Sequence, residues 1–440
     1  MTATPPATAA PSRAVRPAHR DPGVLRWVGA YTASTLGDSV YHLALAWAAV
    51  SGGSPGQAGL VMAVAAVPRA LLLLGGGVVA DRLGPRRVVI GSDAVRCVVV
   101  LGLAATLLVA SPGLWVLAAV ALVFGAVDAL FLPAVGALPP RIAARDQLAR
   151  VQGMRGLAQR LGAVVGAPLG GLAVAVGGPS TAFGLAGLLF AFSLPLLGAL
   201  RLRPLPVGES TGTGSGTGTD TDTDTDTDTG TGTRTGSGTA LGDLAAGLRY
   251  LRGHRLLGPL MVIVLLSDLG FVGPLNVGLA VLAEQRGWGA SGIGWILAGF
   301  GTGAGAASLV LTVRGRVPRA GLVSGWTMLL GAAAIAALGH AAPLPAAVGL
   351  ALAVGLFAGL SGALCTALLQ TACDPAYLGR VTAVAGLCSL GLAPLTFPLT
   401  GTAIGLWGPG PVYGVSAAVC ALSGVYGLVV TSVRKAELPG

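Results

Sequence analysis

Charge is what this sequence has least of. Asp, Glu, Lys and Arg make up only 10% of its 440 residues, whereas a soluble domain carries about a quarter. That deficit excludes a soluble enzyme of this length. Lysine is nearly missing: Lys435 is the only one among 27 basic residues. The five cysteines (Cys97, Cys365, Cys373, Cys388 and Cys420) include no CxxC and no His–Cys cluster with metal spacing. A zinc site or a disulfide framework is therefore not expected, and the cysteines read as small buried hydrophobes. An ATP-binding signature is absent too. Gly299, Gly301, Gly303 and Gly305 stand inside an apolar run with no strand before them, which reads as helix packing rather than a phosphate loop. No cofactor is called for. Residues 1–23 form a Pro/Ala/Arg tail, and the apolar run behind it is too long for a signal-peptide core.

What the sequence has instead is apolar length. Hydrophobic residues reach 53% and the mean hydropathy is +0.79. A membrane-crossing helix needs about 20 mostly apolar residues. Twelve stretches qualify, near 24–50, 57–80, 88–110, 114–137, 157–177, 181–201, 256–281, 291–312, 320–340, 344–371, 381–405 and 411–432. The expected fold is an all-α integral membrane protein with twelve transmembrane helices in two six-helix bundles, 24–201 and 256–432. Tails at 1–23 and 433–440 and a linker at 202–255 complete it. Within the linker, 208–239 is a Gly/Thr/Ser/Asp repeat with almost no apolar side chains, expected to be disordered. Residues 240–255 follow with Leu241, Leu244, Leu248 and Leu251 at helical spacing, the pattern of an amphipathic helix on a membrane surface.

The net charge of +10 sorts by topology. Most arginines fall in the tails, the linker, the loop from Asp81, the loop around Arg141–Arg150, Arg314–Arg319 and Arg380; the alternate loops hold only Arg286. Positive residues favour the cytoplasmic side, so both termini and the linker are expected inside a plasma membrane. The charge is an orientation signal, not a nucleic-acid footprint.

The halves repeat at an offset of 230 residues. Asp38 aligns with Asp268, Leu148–Val151 with Leu378–Val381, and Pro168–Gly171 with Pro398–Gly401. A six-helix unit duplicated in parallel, with the substrate path between the copies, is one transporter arrangement.

Two motifs and several shorter stretches carry a resemblance. Gly77-Val-Val-Ala-Asp81-Arg82-Leu-Gly84-Pro-Arg86-Arg87, between spans 2 and 3, resembles the GxxxDRxGRR loop of the major facilitator superfamily. Gly84 permits a tight turn, Asp81 suits a helix N-terminus, and Arg82, Arg86 and Arg87 hold the loop inside. The resemblance implies a gating loop that braces the halves. The second copy lacks the acid. Gly162, Gly166, Pro168, Gly170 and Gly171 in span 5 resemble the GxxxGPxxGG motif of superfamily antiporters, with the proline one position late; they also make a small-residue stripe for close packing. The superfamily's basic motif is missing from span 4, which has no arginine. Trp27–Asp38, Ser92–Arg96 and Phe131–Ala134 are similar to the enterobactin-exporter-like branch. That branch implies efflux of a siderophore, drug or secondary metabolite. The protein is expected to be a monomer embedded in the lipid of a bacterial membrane.

An ionisable group at the bilayer centre costs about 2.5–3.5 kcal/mol, so such groups should face a cavity or a partner. Asp38, Arg69, Asp128 and Asp268 fall within spans. Tyr31, Thr35, Asp38 and His42 make a polar stripe on span 1, expected to line the central cavity. Asp38 or Asp128 is the candidate for the coupling proton, with Arg69 as charge partner and His42 as a possible relay. Asp93 and Arg96, one turn apart in span 3, are expected to brace the 81–87 loop. The reading is a non-enzymatic, proton-coupled exporter of small molecules. Uptake by symport and a non-transporting scaffold or sensor stand as alternatives.

Overall fold

In the computed structural model the described residues are 20–110, 112–143, 147–200, 240–314, 317–374 and 377–437; within them the side chains of 73–82, 149, 240, 241, 243–245, 378, 379 and 383 are not described. Every described element is helical. The N-terminal tail to residue 19 and the repeat at 208–239 lie outside the described residues.

We number the long helices α1 Pro22–Ser51, α2 Pro55–Leu83, α3 Pro85–Val109 and α4 Leu114–Gly136. α5 and α6 cover 148–177 and 179–198, and α7 runs over Leu257–Gln285. α8 is Gly289–Arg314, α9 Ala320–His340, α10 Leu344–Ala372, α11 Leu378–Trp407 and α12 Pro409–Val429. Ten described helical runs are long and apolar enough to cross a membrane. One of them, Arg150–Gly198, has 49 residues, about twice the length that a bilayer core needs at 1.5 Å per residue. It breaks at Gly177 and Gly178, the latter at φ 74°, and so makes two crossings, α5 and α6. α1 is 30 residues long but is kept out of the ten by its polar stripe; with it the crossings number twelve. Their outer surface carries Leu108, Val109, Trp115, Val176 and Trp407 in the open, an exterior suited to lipid.

Local chemistry sets the joints. The Asp21 carboxylate accepts from the Gly23 N–H at 2.8 Å and Pro22 opens α1. Ser54 and Gln57 form a reciprocal capping box that starts α2. Gly84 joins α2 to α3 at φ 84°, which glycine alone adopts without strain. The Ala240–Gly253 helix docks on the α10–α11 turn. Tyr250 stacks on Tyr377 at 4.4 Å between centroids, and its hydroxyl accepts from the Asp374 N–H.

The two sets of six pack alike. α2 lies on α4 as α8 lies on α10; α3 lies on α4 and α6 as α9 lies on α10 and α12. Close backbone contacts repeat as well. A Cβ at Gly125 would stand 2.0 Å from the Ala65 carbonyl oxygen, and one at Gly355 2.0 Å from that of Phe300. Gly37 faces the Ala186 carbonyl and Phe190; Gly270 faces the Ser416 carbonyl and Cys420. These pairs fix which residues correspond. The α4/α10 and α6/α12 pairs keep the register of the sequence repeat, but α7 is displaced from it by three residues and α8 by five. Asp38 therefore answers to Phe271, and Asp268 to Thr35. The expected Asp38–Asp268 correspondence is corrected: runs of Leu, Ala and Gly align in several registers, whereas backbone contacts admit one.

The halves meet where α2 lies on α11 and α5 on α8. At the end away from the basic loops they touch backbone to backbone. Added Cβ atoms would come within 2.6 Å of Phe397 O at Gly59, 2.3 Å of Pro55 O at Gly401, 2.6 Å of Ala290 O at Gly171 and 2.7 Å of Ala167 O at Gly294.

Candidate functional site

The densest chemistry lies inside the first six helices, around Arg96 of α3. Its side chain is fully buried. Arg96 Nη2 donates to Asp128 Oδ1 at 2.6 Å, and Nη1 stands 3.4 Å from Asp38 Oδ1 and 3.6 Å from Asp93 Oδ1. Asp128 also takes Arg69 on its other oxygen, Nε to Oδ2 at 2.9 Å. Four helices thus bring two guanidinium groups and three carboxylates together. The guanidinium carbon of Arg96 lies 4.2 Å from the Phe131 ring centre and 5.0 Å from that of Phe124, faces that favour a cation. Ser34 and Ser193 both donate to Asp93 Oδ2. Asp93 is therefore held as a fixed anion-side scaffold, while Asp38 is held most loosely. Its Oδ1 accepts no hydrogen bond among the described residues, and its side chain keeps 23% of its exposure.

This corrects the expectation for Asp93 and Arg96. They do not brace the 81–87 loop but form the centre of the cluster. The sequence held a usable signal. Arg96 stands eleven residues past Pro85, about 16 Å along a helix and so near the middle of an apolar core about 30 Å thick.

The polar stripe of α1 divides. Asp38 and His42 line a cavity of about 290 Å³ between the halves, with Ser39, Asn276, Leu297 and Phe300. His42, Arg69 and Asp128 line a neighbouring one of about 90 Å³. The His42 Nδ1 lies 2.7 Å from the Asp38 carbonyl oxygen; a carbonyl only accepts, so Nδ1 carries the proton and Nε2 is left to act in the cavity. Tyr31 departs from expectation. It is buried at the basic end, stacked on Trp27 and beneath the Arg155 guanidinium, because the helix turns it away from the cavity side. Thr35 packs on Gly162 of α5.

Asp268 stands apart from the cluster. It accepts a short hydrogen bond from Ser389 of α11 and lines a cavity of about 300 Å³ formed by the second six helices.

The glycine motif of α5 is a contact surface. Gly162 meets Thr35, Gly166 meets Ser39, and Gly170 meets the Val40 backbone, all on α1. Gly171 instead meets α8 at Ala290 and Ser291, and Gly294 of α8 approaches Pro168. Residues Gly162–Gly166 form a π-helical turn, a local widening common at functional sites. In the loop, Arg86 donates to the carbonyls of Leu197 and Gly198, Nη2 to Gly198 at 2.6 Å, and so caps the C-terminal end of α6. Arg87 is exposed. The side chains of Asp81 and Arg82 are not described, and Gly77 stands in the same stretch of α2.

Comparison with known proteins decides the family. The model of the Major Facilitator Superfamily matches residues 28–289. The chain belongs to that superfamily. Among curated relatives, the Enterobactin exporter EntS of Shigella boydii serotype 18 (strain CDC 3083-94 / BS512) is 26% identical over 375 residues, 84% of this chain and 76% of that protein. EntS of Escherichia coli O81 (strain ED1a) matches to the same extent. Among solved structures, the nucleoside transporter NupG superposes with a TM-score of 0.68 over 93% of this chain and 100% of that one, at 12% identity. That likeness is one of fold. For this superfamily member the twelve helices, the cavity between halves and the buried charges describe a membrane transporter.

Proposed function

We propose that the protein is a proton-coupled exporter of small molecules that works by alternating access. It acts as a monomer in the bacterial plasma membrane with both termini in the cytoplasm. The observation that carries this reading is the charge count of the buried cluster. Two arginines oppose three aspartates, so one carboxylate is left without a cation. An uncompensated charge in a low-dielectric site is costly, and one proton makes the group neutral. Asp38 and His42 offer a route for that proton, since both line the cavity between the halves.

The coupling follows from the same residues. With the proton on the cluster the arginine pair is balanced and the first six helices pack as a neutral body. When the proton leaves through Asp38, the excess negative charge favours the arrangement that exposes it to water or draws a new proton. Alternation exchanges the backbone contacts of α2 with α11 and α5 with α8 for an opening at that end. The arginine-rich loops at the opposite end support reading this one as the outer end. Efflux rather than uptake is supported by the relatives named as exporters, and the α5 glycine contacts with α8 agree with an antiporter.

The test is dye retention. Cells that overproduce the protein are expected to retain less ethidium, and to lose that difference when the proton gradient is collapsed. Greater accumulation than in control cells would favour uptake instead, and a difference that survives collapse of the gradient would reject proton coupling.

A further inference from the structure

The cavity of the second half is the counterpart of the Arg96 site in the first. The register of α9 is fixed by hydroxyl contacts. In the first half Ser34 and Ser193 both bond Asp93; in the second, the corresponding Ser267 and Ser423 bond each other, and Ser267 reaches Met328. Met328 thus stands in place of Asp93, and one turn on, Gly331 stands in place of Arg96. The cage around the arginine has changed in the same sense. Phe131 answers to Ser361, Phe124 to Val354 and Phe190 to Cys420. The acids Asp38 and Asp128 answer to Phe271 and Ala358. Every one of these replacements lines the same cavity of about 300 Å³.

The second half has therefore lost the cation, most of the ring volume around it and its paired acids, and is hollow there. It has gained one acid from a different register position. Asp268 opens on this cavity, which contains no Arg, Lys or His. No ion pair reaches Asp268 among the described residues. Ser389 donates to it, and Phe271, Phe300 and Met328 supply an apolar wall. Phe300 also lines the cavity between the halves, so the two spaces adjoin. A half-buried carboxylate without a counter-charge among the described residues, beside a space that a guanidinium fills in the sister half, is complementary to an organic cation.

We infer that this cavity is a binding site for organic cations, an ammonium or guanidinium group at Asp268 with an apolar body against Phe271 and Phe300. Calling that cation a substrate rests on the transport reading above; its binding does not. The cation takes the place of the missing arginine, and Asp268 selects against neutral and anionic compounds of the same shape.

Equilibrium binding to the full-length protein in lipid nanodiscs tests this without any gradient. The probes are 2-phenylethylammonium and its neutral analogue 2-phenylethanol, followed by titration calorimetry. The cation is expected to bind, and the alcohol to bind at least about tenfold more weakly. Asp268→Asn is expected to weaken the cation by about ten- to a hundredfold, the worth of a charged hydrogen bond, and to leave the alcohol unchanged. Gly331→Arg places an arginine where the sister half has one and is expected to abolish cation binding. Should Asp268→Asn fail to fold by thermal unfolding, Gly331→Arg carries the same decision. Equal binding of the two probes, no binding of the cation, or full affinity in a folded Asp268→Asn or Gly331→Arg protein each overturns the proposal. Cation binding with no gradient-driven dye efflux would retain the site and reject only the transport reading.

Discussion

Replacing Arg96 by Met tests how the buried charges hold the first six helices together. Arg96 faces Asp38, Asp93 and Asp128 at once. Without it, Arg69 alone opposes three carboxylates, and breaking a buried pair in this way costs about 3–5 kcal/mol. Asp128→Asn works differently. It removes two charge-assisted contacts, worth about 1.5–3 kcal/mol each in isolation, but leaves two arginines against two carboxylates, so part of that loss is offset. In the double variant the acid that Arg96 held most tightly is gone as well. The two substitutions are therefore expected to be non-additive, the double costing about 1–3 kcal/mol less than the sum of the singles. The assay is equilibrium unfolding with SDS in mixed micelles, followed by tryptophan emission; Trp27 is fully buried in the same bundle. Additivity within about 0.5 kcal/mol would refute the reasoning, since it would mean that Arg96 and Asp128 do not share one electrostatic network.

Other consequences are as specific. Gly125→Ala puts a Cβ 2.0 Å from the Ala65 carbonyl and is expected to destabilise the α2–α4 contact by about 1–3 kcal/mol, read by the same unfolding assay. Gly171→Leu forces α5 from α8 at Ala290 and is expected to raise the labelling rate of a cysteine placed at Ser291 by a water-soluble maleimide; an unchanged rate would show that this end is not sealed there. Arg86→Ala removes the cap on Leu197 and Gly198 and is expected to speed amide hydrogen exchange at the C-terminal turn of α6, with no effect at α12.

The fold was legible because its signal is long and repeated. Twelve apolar runs, loops that alternate between arginine-rich and arginine-poor, and Gly84 at a joint of positive φ all follow from the bilayer and the backbone. Asp38, Asp128 and Arg69 were visible as charges that an apolar span does not carry without a partner, and the structure brings them to one cluster. Arg96 and Asp93 are harder to place from sequence because a pair one turn apart resembles an interfacial anchor; only depth along α3 distinguishes the two. The correspondence of Asp38 with Phe271 was not readable at all. It depends on which carbonyl each glycine touches, and Leu/Ala/Gly sequences leave that register open. Tyr31 fell on a stripe that helical spacing groups together but that packing splits between the cavity and the basic end.

The central claim is that the Arg96 cluster holds one exchangeable proton. Infrared difference spectroscopy of the reconstituted protein, titrated from acid to alkaline pH, reads this through the carbonyl stretch of a protonated carboxyl. Asp268→Asn in the background removes the acid of the second half. The account predicts a protonated-carboxyl band that bleaches as pH rises, equivalent to a single group, and that is lost on adding Asp128→Asn, which leaves two arginines with two carboxylates. A spectrum with no such band, or a band that persists unchanged in the Asp38→Asn, Asp93→Asn and Asp128→Asn variants alike, would contradict it.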